Sequence, residues 1–137
     1  MFRTIEDIRL DPWILEVELL DYKPLSANKM YTMRKKPSWD YTKYKKAWDQ
    51  ILSAHGQPSD IDDELWKKLE FRLELNVGVS NRAQDLDNTI KPMQDILQNG
   101  LGFNDKQIYE IEAWKHLTIK GSEYMKVKLT TIERKTI

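Results

Sequence analysis

The stretch QDLDNTIKPMQDIL, residues 84–97, gathers acidic side chains and a lysine in a pattern that could support chemistry. Asp85 and Asp87 are two residues apart, and in extended backbone such residues face the same side, with Cα atoms roughly 7 Å apart. Two carboxylates this close repel each other unless a cation lies between them. Oxygen ligands without a nearby cysteine or histidine favour a hard divalent ion, Mg²⁺ or Mn²⁺.

The same stretch continues with two further charged residues at helical spacing. Lys91 follows Asp87 by one helical turn and Asp95 follows Lys91 by another, so the three can share a helix face. A surface ladder of ion pairs, with Asp87 as an N-cap, is equally consistent with this spacing. Asp105, after a glycine turn in LGFNDKQI, is a third candidate ligand.

Two other kinds of metal site are excluded by the residues themselves. An EF-hand loop that began at Asp85 would carry Ile90 where glycine is required and Ile96 where glutamate is required. The histidine and cysteine spacing of a zinc site is absent.

The chain pattern predicts the elements that would position these groups. Alternating or apolar runs at 13–20 and 71–80 predict strands, and two later runs, KQIYEIEAWKHLTIK and SEYMKVKLTTIER, predict strands joined by a KGSE hairpin. We therefore predict an α+β fold in the order β-α-β-α-β-β, with two helices packed on one face of a mixed sheet.

Capping residues predict the ends of the two helices. Ser38 and Gly56 would bound the first helix, and Asp87 would cap the second, which would stop at Gly100 or Gly102. Pro92 falls just beyond the first turn of the second helix, which is the part of a helix that tolerates proline. We therefore predict an irregular helix start that turns Lys91 toward the aspartates.

Composition indicates one globular domain over residues 1–137. The absence of cysteine excludes disulfides, thiolate metal sites and cysteine nucleophiles, and it fits a reducing cytoplasm. No apolar run reaches the roughly 18 residues that a membrane span needs, and the acidic N-terminus does not read as a signal peptide.

The net charge is zero, but basic side chains cluster in residues 29–46. Such a segment can bind a polyanion locally, although a solvated charged face is the simpler interpretation. Trp48 and Trp114 are predicted to lie in the core, because their neighbours in the sequence are apolar.

Three separated blocks resemble the RusA-type Holliday junction resolvases, a family of phage and bacterial endonucleases. DLDNTIKPMQDIL is similar to the family pattern D-x-D-N-x-x-K-x-x-x-D-x-L, and GFNDKQI to its D-D-x-Q-[IV]. PLSANKMY, residues 24–31, is similar to P-P-S-x-N-x-x-Y. The resemblance covers about residues 14–131, and Asn104 stands where the family has the first acid of its pair.

The resemblance implies a homodimer that nicks opposed strands of a four-way DNA junction with Mg²⁺, and with Mn²⁺ also accepted. It implies that Asp85, Asp87 and Asp105 hold the metal and that Lys91 is essential. Auxiliary roles would fall to Asp95, Asn88 and Gln107. If the polyanion is DNA, as the resemblance implies, Trp39 and Tyr41 are predicted to stack on exposed bases. The residues predicted to contact DNA are Asn28, Lys29, Arg34, Lys35, Lys36, Lys43, Lys46 and Arg82, with Lys45 in the same basic run. It further implies an enzyme of DNA recombination and repair in a bacterial cytoplasm, encoded by the cell, a prophage or a phage. The alternatives are a flap- or fork-directed nuclease with the same chemistry and a non-catalytic DNA-binding dimer.

Overall fold

The computed structural model describes residues 13–25, 39–55 and 61–132. The described elements are β1 (Ile14–Leu20), α1 (Trp39–His55), α2 (Asp63–Trp66), β2 (Phe71–Val79), α3 (Asp87–Leu101), β3 (Ile108–Leu117) and β4 (Tyr124–Thr131), with a 3-10 turn at Asp105–Gln107. The α+β class is confirmed, with three helices in the described chain rather than two because α2 forms one short turn. The predicted caps Ser38 and Gly56 lie outside the described residues.

The four described strands form one mixed sheet in the order β1-β4-β2-β3. β1 and β2 both pair antiparallel with β4, whereas β2 and β3 run parallel. The parallel pair requires a crossover, and α3 provides it. The crossover therefore places the two ends of α3 near the two ends of β2.

The predicted hairpin between β3 and β4 is wrong, because β2 lies between these two strands. The connection at residues 118–123 passes across the end of β2, where the Thr118 N–H donates to the Val79 carbonyl at 2.8 Å. β2 alternates buried side chains along its whole length and pairs on both edges, so it occupies the centre of the sheet. A short connection between two strands does not require them to be neighbours.

The hydrophobic core lies on one face of the sheet. Leu15 and Val17 of β1 lie opposite Leu129 and Val127 of β4, and all four side chains are buried. Helix α1 buries Tyr44, Trp48 and Leu52 in this core, and α3 buries Met93, Ile96, Leu97 and Leu101. Burying each large apolar side chain contributes about 1.5–3 kcal/mol, so the two helices are held mainly by this face.

The opposite face of the sheet carries charged side chains of alternating sign. Lys126 faces Glu18 at 3.8 Å, and Lys128 faces Glu74 at 4.0 Å. Arg72 bridges Glu110 at 3.1 Å and Glu112 at 2.6 Å. Exposed ion pairs of this kind are each worth about 0–1 kcal/mol, so this face keeps the sheet solvated rather than supplying its stability.

Tyr124 at the start of β4 explains the glycine opposite it in the sheet. Gly78 pairs with Tyr124, and a Cβ at position 78 would lie 2.3 Å from the ring atom Cε1. Any side chain here would displace the ring, since Cβ atoms do not approach carbon this closely.

No helix in the described part of the chain is long and apolar enough to cross a membrane.

Candidate active site

Asp85 and Asp87 lie at the end of the central strand, where the chain passes from β2 into α3. Both side chains are exposed. The Lys115 ammonium on β3 donates to the carbonyls of Arg82 at 3.3 Å and Gln84 at 3.0 Å. The neighbouring strand therefore holds the loop immediately before the two aspartates.

The prediction that Asp87 caps α3 is wrong, because Asp87 is already the first helical residue. The cap position is Leu86, which has helical backbone angles and no side-chain cap bond. The Thr89 N–H and hydroxyl both donate to the Leu86 carbonyl, at 3.0 and 2.6 Å, and they close this first turn. The Asp87 carboxylate thus lies at the positive end of the helix dipole, which stabilises negative charge there.

Helix α3 runs through Pro92 without interruption, so the predicted irregular start is wrong. The Pro92 ring is buried in the core, and this burial offsets the hydrogen bond that proline cannot donate to Asn88. The Lys91 ammonium lies 3.0 Å from Asp95 Oδ1, one turn further along the helix, and its side chain is 57% exposed. Lys91 and Asp95 thus form the predicted surface ion pair. Asn88 is half-buried in the first turn.

Asp105 lies at the other end of α3 from the aspartate pair. The helix has fifteen residues, which corresponds to a length of about 20 Å. Beyond its C-terminal cap at Gly102, the Asp105 N–H donates to Gln98 Oε1 at 2.8 Å. Within the described residues of one chain, no three acidic, histidine or cysteine side chains come together as a possible metal site. One chain alone therefore does not assemble Asp85, Asp87 and Asp105.

The turn that carries Asp105 is held by side-chain hydrogen bonds. Asn104 caps it by accepting from the Lys106 N–H, and Gln107 Oε1 accepts from the Asn104 N–H. The Gln107 amide also donates to the carbonyls of Trp66 and Leu69, both at 2.9 Å, and its side chain is buried. Gln107 therefore holds Asp105 in place from within the core. An asparagine at position 104 caps this turn as an aspartate would.

A cleft of about 530 Å³ opens beside the aspartate loop. Its walls come from the segments after β1 and β2, the first turns of α1 and the end of the 118–123 connection. They include Lys23, Lys43, Tyr44, Ser80, Gln84 and Glu123. Gln84 directly precedes Asp85. The cleft thus connects two lysines to the loop that bears the acidic pair.

Glu123 is a buried carboxylate in this cleft that the sequence pattern did not single out, since it fell in the predicted hairpin. It accepts from the Gly121 N–H at 2.6 Å and from the Ser80 hydroxyl at 3.2 Å. Hydrogen bonds from its own N–H, the Gly121 N–H and Ser80, together with the charge of Lys23, lower the pKa of the Glu123 carboxyl. Glu123 therefore ties the 118–123 connection to the start of the aspartate loop.

We expect Glu123→Gln to reduce the free energy of unfolding at pH 7 and to reduce it much less at pH 3. A carboxyl with a lowered pKa in the folded state stabilises the protein above its unfolded pKa, near 4.3, and loses that stabilisation as the pH falls through the folded pKa. Urea unfolding of both proteins at the two pH values measures the difference. An equal loss at pH 7 and pH 3 would show that the ionised form of Glu123 contributes nothing.

The predictions made for individual tryptophan and tyrosine residues have different outcomes. Trp48 is fully buried, so its predicted place in the core is confirmed, but Trp114 is 43% exposed on the edge strand β3 and is not a core residue. Tyr41 is buried and cannot stack on a base. Trp39 is 74% exposed, with the Lys43 ammonium 4.8 Å from its ring centroid, and its stacking on bases stays a prediction.

Part of the predicted DNA-contacting set lies outside the described residues. That part comprises Asn28, Lys29, Arg34, Lys35 and Lys36. Lys43, Lys45 and Lys46 are exposed on α1, and Lys43 also lines the cleft. Arg82 is exposed in the aspartate loop.

Comparison with protein families places the chain among enzymes that cut DNA within a strand. The family model Endodeoxyribonuclease RusA matches residues 21–129, which span the cleft, α3 and the Asp105 turn. The chain belongs to the RusA family, and it is an endodeoxyribonuclease of the Holliday junction resolvase type. No curated protein matches the chain. Resolvase nucleases generally need a divalent metal ion.

Proposed function

We propose that this chain is a single-domain, Mg²⁺-dependent endonuclease that resolves four-way DNA junctions as a homodimer by paired nicks. The family match over residues 21–129 carries the proposal. The exposed Asp85 and Asp87 beside a lysine-lined cleft are consistent with it. It would act in recombination and repair in the cytoplasm of a bacterial cell, including one that carries a phage.

The separation of Asp105 from the aspartate pair bears on how the metal would be held. Asp85 and Asp87 provide two carboxylates at one end of α3, and the chain's own Asp105 lies beyond the other end of this helix, which is about 20 Å long. In a homodimer, Asp105 of the partner subunit can supply the third carboxylate. A bound Mg²⁺ would activate a water molecule and stabilise the charge of the phosphodiester transition state.

The chain's own residues would bind and orient the DNA around this metal. Lys23 and Lys43 line the cleft beside the loop and would contact phosphates on either side of the cut. Phosphate contacts confer affinity and register rather than base recognition. Lys91 lies one turn from Asp87 on α3 and would neutralise the phosphate that is cut, in competition with its ion pair to Asp95.

Lys115 and Glu123 would act as positioning residues. Lys115 binds two carbonyls of the segment before Asp85, and Glu123 binds Ser80 at the start of that segment. Together they hold both ends of a seven-residue connection, 80–86, that carries one of the acids. This restraint keeps the carboxylates in place before metal and DNA bind.

A cleavage assay on three substrates separates this function from its alternatives. We expect the wild-type protein with Mg²⁺ to nick a four-way junction symmetrically and to cut a flap or a linear duplex far more slowly. Cleavage of flaps or forks without paired junction nicks would favour the flap nuclease. Junction binding without cleavage of any substrate, in Mg²⁺ or Mn²⁺, would favour the non-catalytic DNA-binding dimer.

A further inference from the structure

The side chain of Gln84 carries an unpaired polar group in the wall of the cleft. Its amide nitrogen is shielded from solvent and has no hydrogen-bond partner among the residues that the structure describes. Gln84 lines the cleft and directly precedes Asp85. A buried donor without an acceptor lowers the stability of a protein. The position is therefore suited to an acceptor that the described part of the chain does not supply.

The main chain of Gln84, in contrast, is held on both sides. Its N–H donates to the Asn81 carbonyl at 3.2 Å, and its own carbonyl accepts from the Lys115 ammonium at 3.0 Å. These bonds fix the loop, whereas the side-chain amide nitrogen makes none among the described residues. A rotation about the side-chain torsions of Gln84 can therefore bring its amide into the cleft without disturbing the aspartate loop.

Tyr22 provides an aromatic wall in the same cleft. Asp21 before it has a φ of 53°, in the left-handed region, so the chain turns sharply after β1. The Tyr22 N–H donates to the Glu123 carbonyl at 2.9 Å, and its ring lies against that of Tyr44 with centroids 5.8 Å apart. Tyr44 is buried, whereas Tyr22 is only half-buried. The Tyr22 ring is thus held in place and still accessible to a planar group.

The charge and size of the cleft favour a neutral group that is attached to phosphates. Lys23 and Lys43 are matched by Asp40 and Glu123, so the formal charges of the lining cancel. Both lysines are exposed and can contact phosphates outside the cleft. The volume of about 530 Å³ lies within the range of small-molecule sites, about 300–1,000 Å³. The apolar part of the lining comprises Pro24, Leu25, Ala47, Val79 and Ala83.

We propose that this cleft takes one unstacked nucleobase of the DNA strand that is cut. The Gln84 amide donates to an acceptor of the base, and Tyr22 stacks on its face. Every nucleobase has acceptor atoms and a π face, and unstacking costs least where base pairing is already disturbed, as at a strand crossover. This inference rests on the proposed function, since it takes the DNA junction as the ligand. Gln84 is then a residue that determines which nucleotide lies beside the aspartate loop.

Single abasic sites, placed in turn at each position around the crossover, test this inference through junction binding in EDTA. We expect one position in each of two opposed strands where loss of the base weakens wild-type binding by about tenfold or more. Gln84→Met, which keeps the chain length without the amide, should bind the intact junction roughly fivefold more weakly. The effect of the abasic site should shrink by the same factor in this variant, because the two changes remove one shared contact.

Gln50→Met is the matched control, since Gln50 is exposed on α1 and lies outside the cleft lining. We expect it to bind the intact and abasic junctions as the wild type does. Tyr22→Leu removes the ring but keeps an apolar side chain, so it should also reduce the abasic effect at the same position.

Urea unfolding of Gln84→Met without DNA provides a second readout. We expect a higher urea midpoint than that of the wild type, because the variant removes a buried donor that has no acceptor. A lower midpoint would overturn the premise that this amide is unpaired in the free protein.

The binding and cleavage results separate this inference from the proposed function. An equal response of the wild type and Gln84→Met to every abasic site, with normal nicking of junctions in Mg²⁺, would overturn the role of the cleft and leave the proposed function intact. A position-specific difference between these two proteins, without nicking in Mg²⁺, would support the role of the cleft and reject the proposed function.

Discussion

Asp87→Asn and Asp105→Asn should each abolish junction nicking when assayed alone, and a mixture of the two should recover part of it. Loss of one group that stabilises the transition state costs roughly 10²–10³-fold in rate. Neither change should unfold the protein, since Asp87 is exposed and Asp105 is only half-buried. Nicking of a labelled four-way junction in Mg²⁺ measures the loss.

The mixture is informative because the two acids would come from different subunits at each site. When equal amounts of the two chains associate at random, about half of the dimers contain one chain of each kind. In such a mixed dimer one site carries both substitutions and the other site carries neither. About a quarter of all sites in the mixture are therefore intact. We expect about this fraction of wild-type nicking, as single nicks rather than paired cuts. No recovery upon co-refolding of the two chains would show that both acids act within one chain or that Asp105 is not a ligand.

Asp63→Asn is the matched control for Asp87→Asn. Asp63 is also an exposed carboxylate in the first turn of a helix, α2, so its replacement removes a similar helix-dipole interaction. We expect it to retain wild-type nicking. A comparable loss in both variants would point to a general charge effect rather than to a metal ligand.

Trp66→Ala should produce the largest loss of stability, about 3–5 kcal/mol, as expected for a fully buried tryptophan. The Trp66 ring meets Trp13 and Phe71 edge-on, with centroids 5.2 and 5.3 Å apart. Its Nε1–H donates to the Leu101 carbonyl at 2.8 Å, at the last turn of α3. Removing the indole leaves a cavity and takes one hydrogen bond from the buried Leu101 carbonyl.

Urea unfolding measures this loss, and Trp39→Ala is its control. Trp39 is 74% exposed on α1, so its truncation should change the free energy of unfolding by less than about 0.5 kcal/mol. Similar losses in the two variants would show that the ring packing around Trp66 is not a main source of stability. Trp66 also offers its carbonyl to Gln107, so Trp66→Ala should loosen the turn that carries Asp105.

The local pattern was sufficient for those features that depend on one segment alone. The strict alternation of residues 71–79 predicted β2, because alternate side chains of a strand face opposite sides of a sheet. Gly102, with a φ of 70°, ends α3 in the left-handed conformation that glycine adopts readily, as one of the two predicted stops. The motif spacing likewise led to the RusA family, since such spacing is a property of the sequence itself.

Features that depend on contacts between distant segments were predicted less well. The predicted irregular start of α3 near Pro92 was wrong, because burial of the proline ring against the core outweighs the local preference against proline in a helix. Trp114 was assigned to the core from its apolar neighbours, but β3 is an edge strand and leaves the ring exposed. Glu123 became a buried, hydrogen-bonded carboxylate only because its connection crosses the end of β2.

The sequence by itself determined the family, the strands and helices, and the acids that the family pattern marks. Only the tertiary structure decided that β2 separates β3 from β4 and that α3 holds Asp85 and Asp87 apart from Asp105. The physical reason is that side-chain periodicity reports which face of an element is buried, whereas strand order depends on pairing between segments far apart in the chain. A motif can therefore identify three acids without showing that a helix separates one of them from the other two.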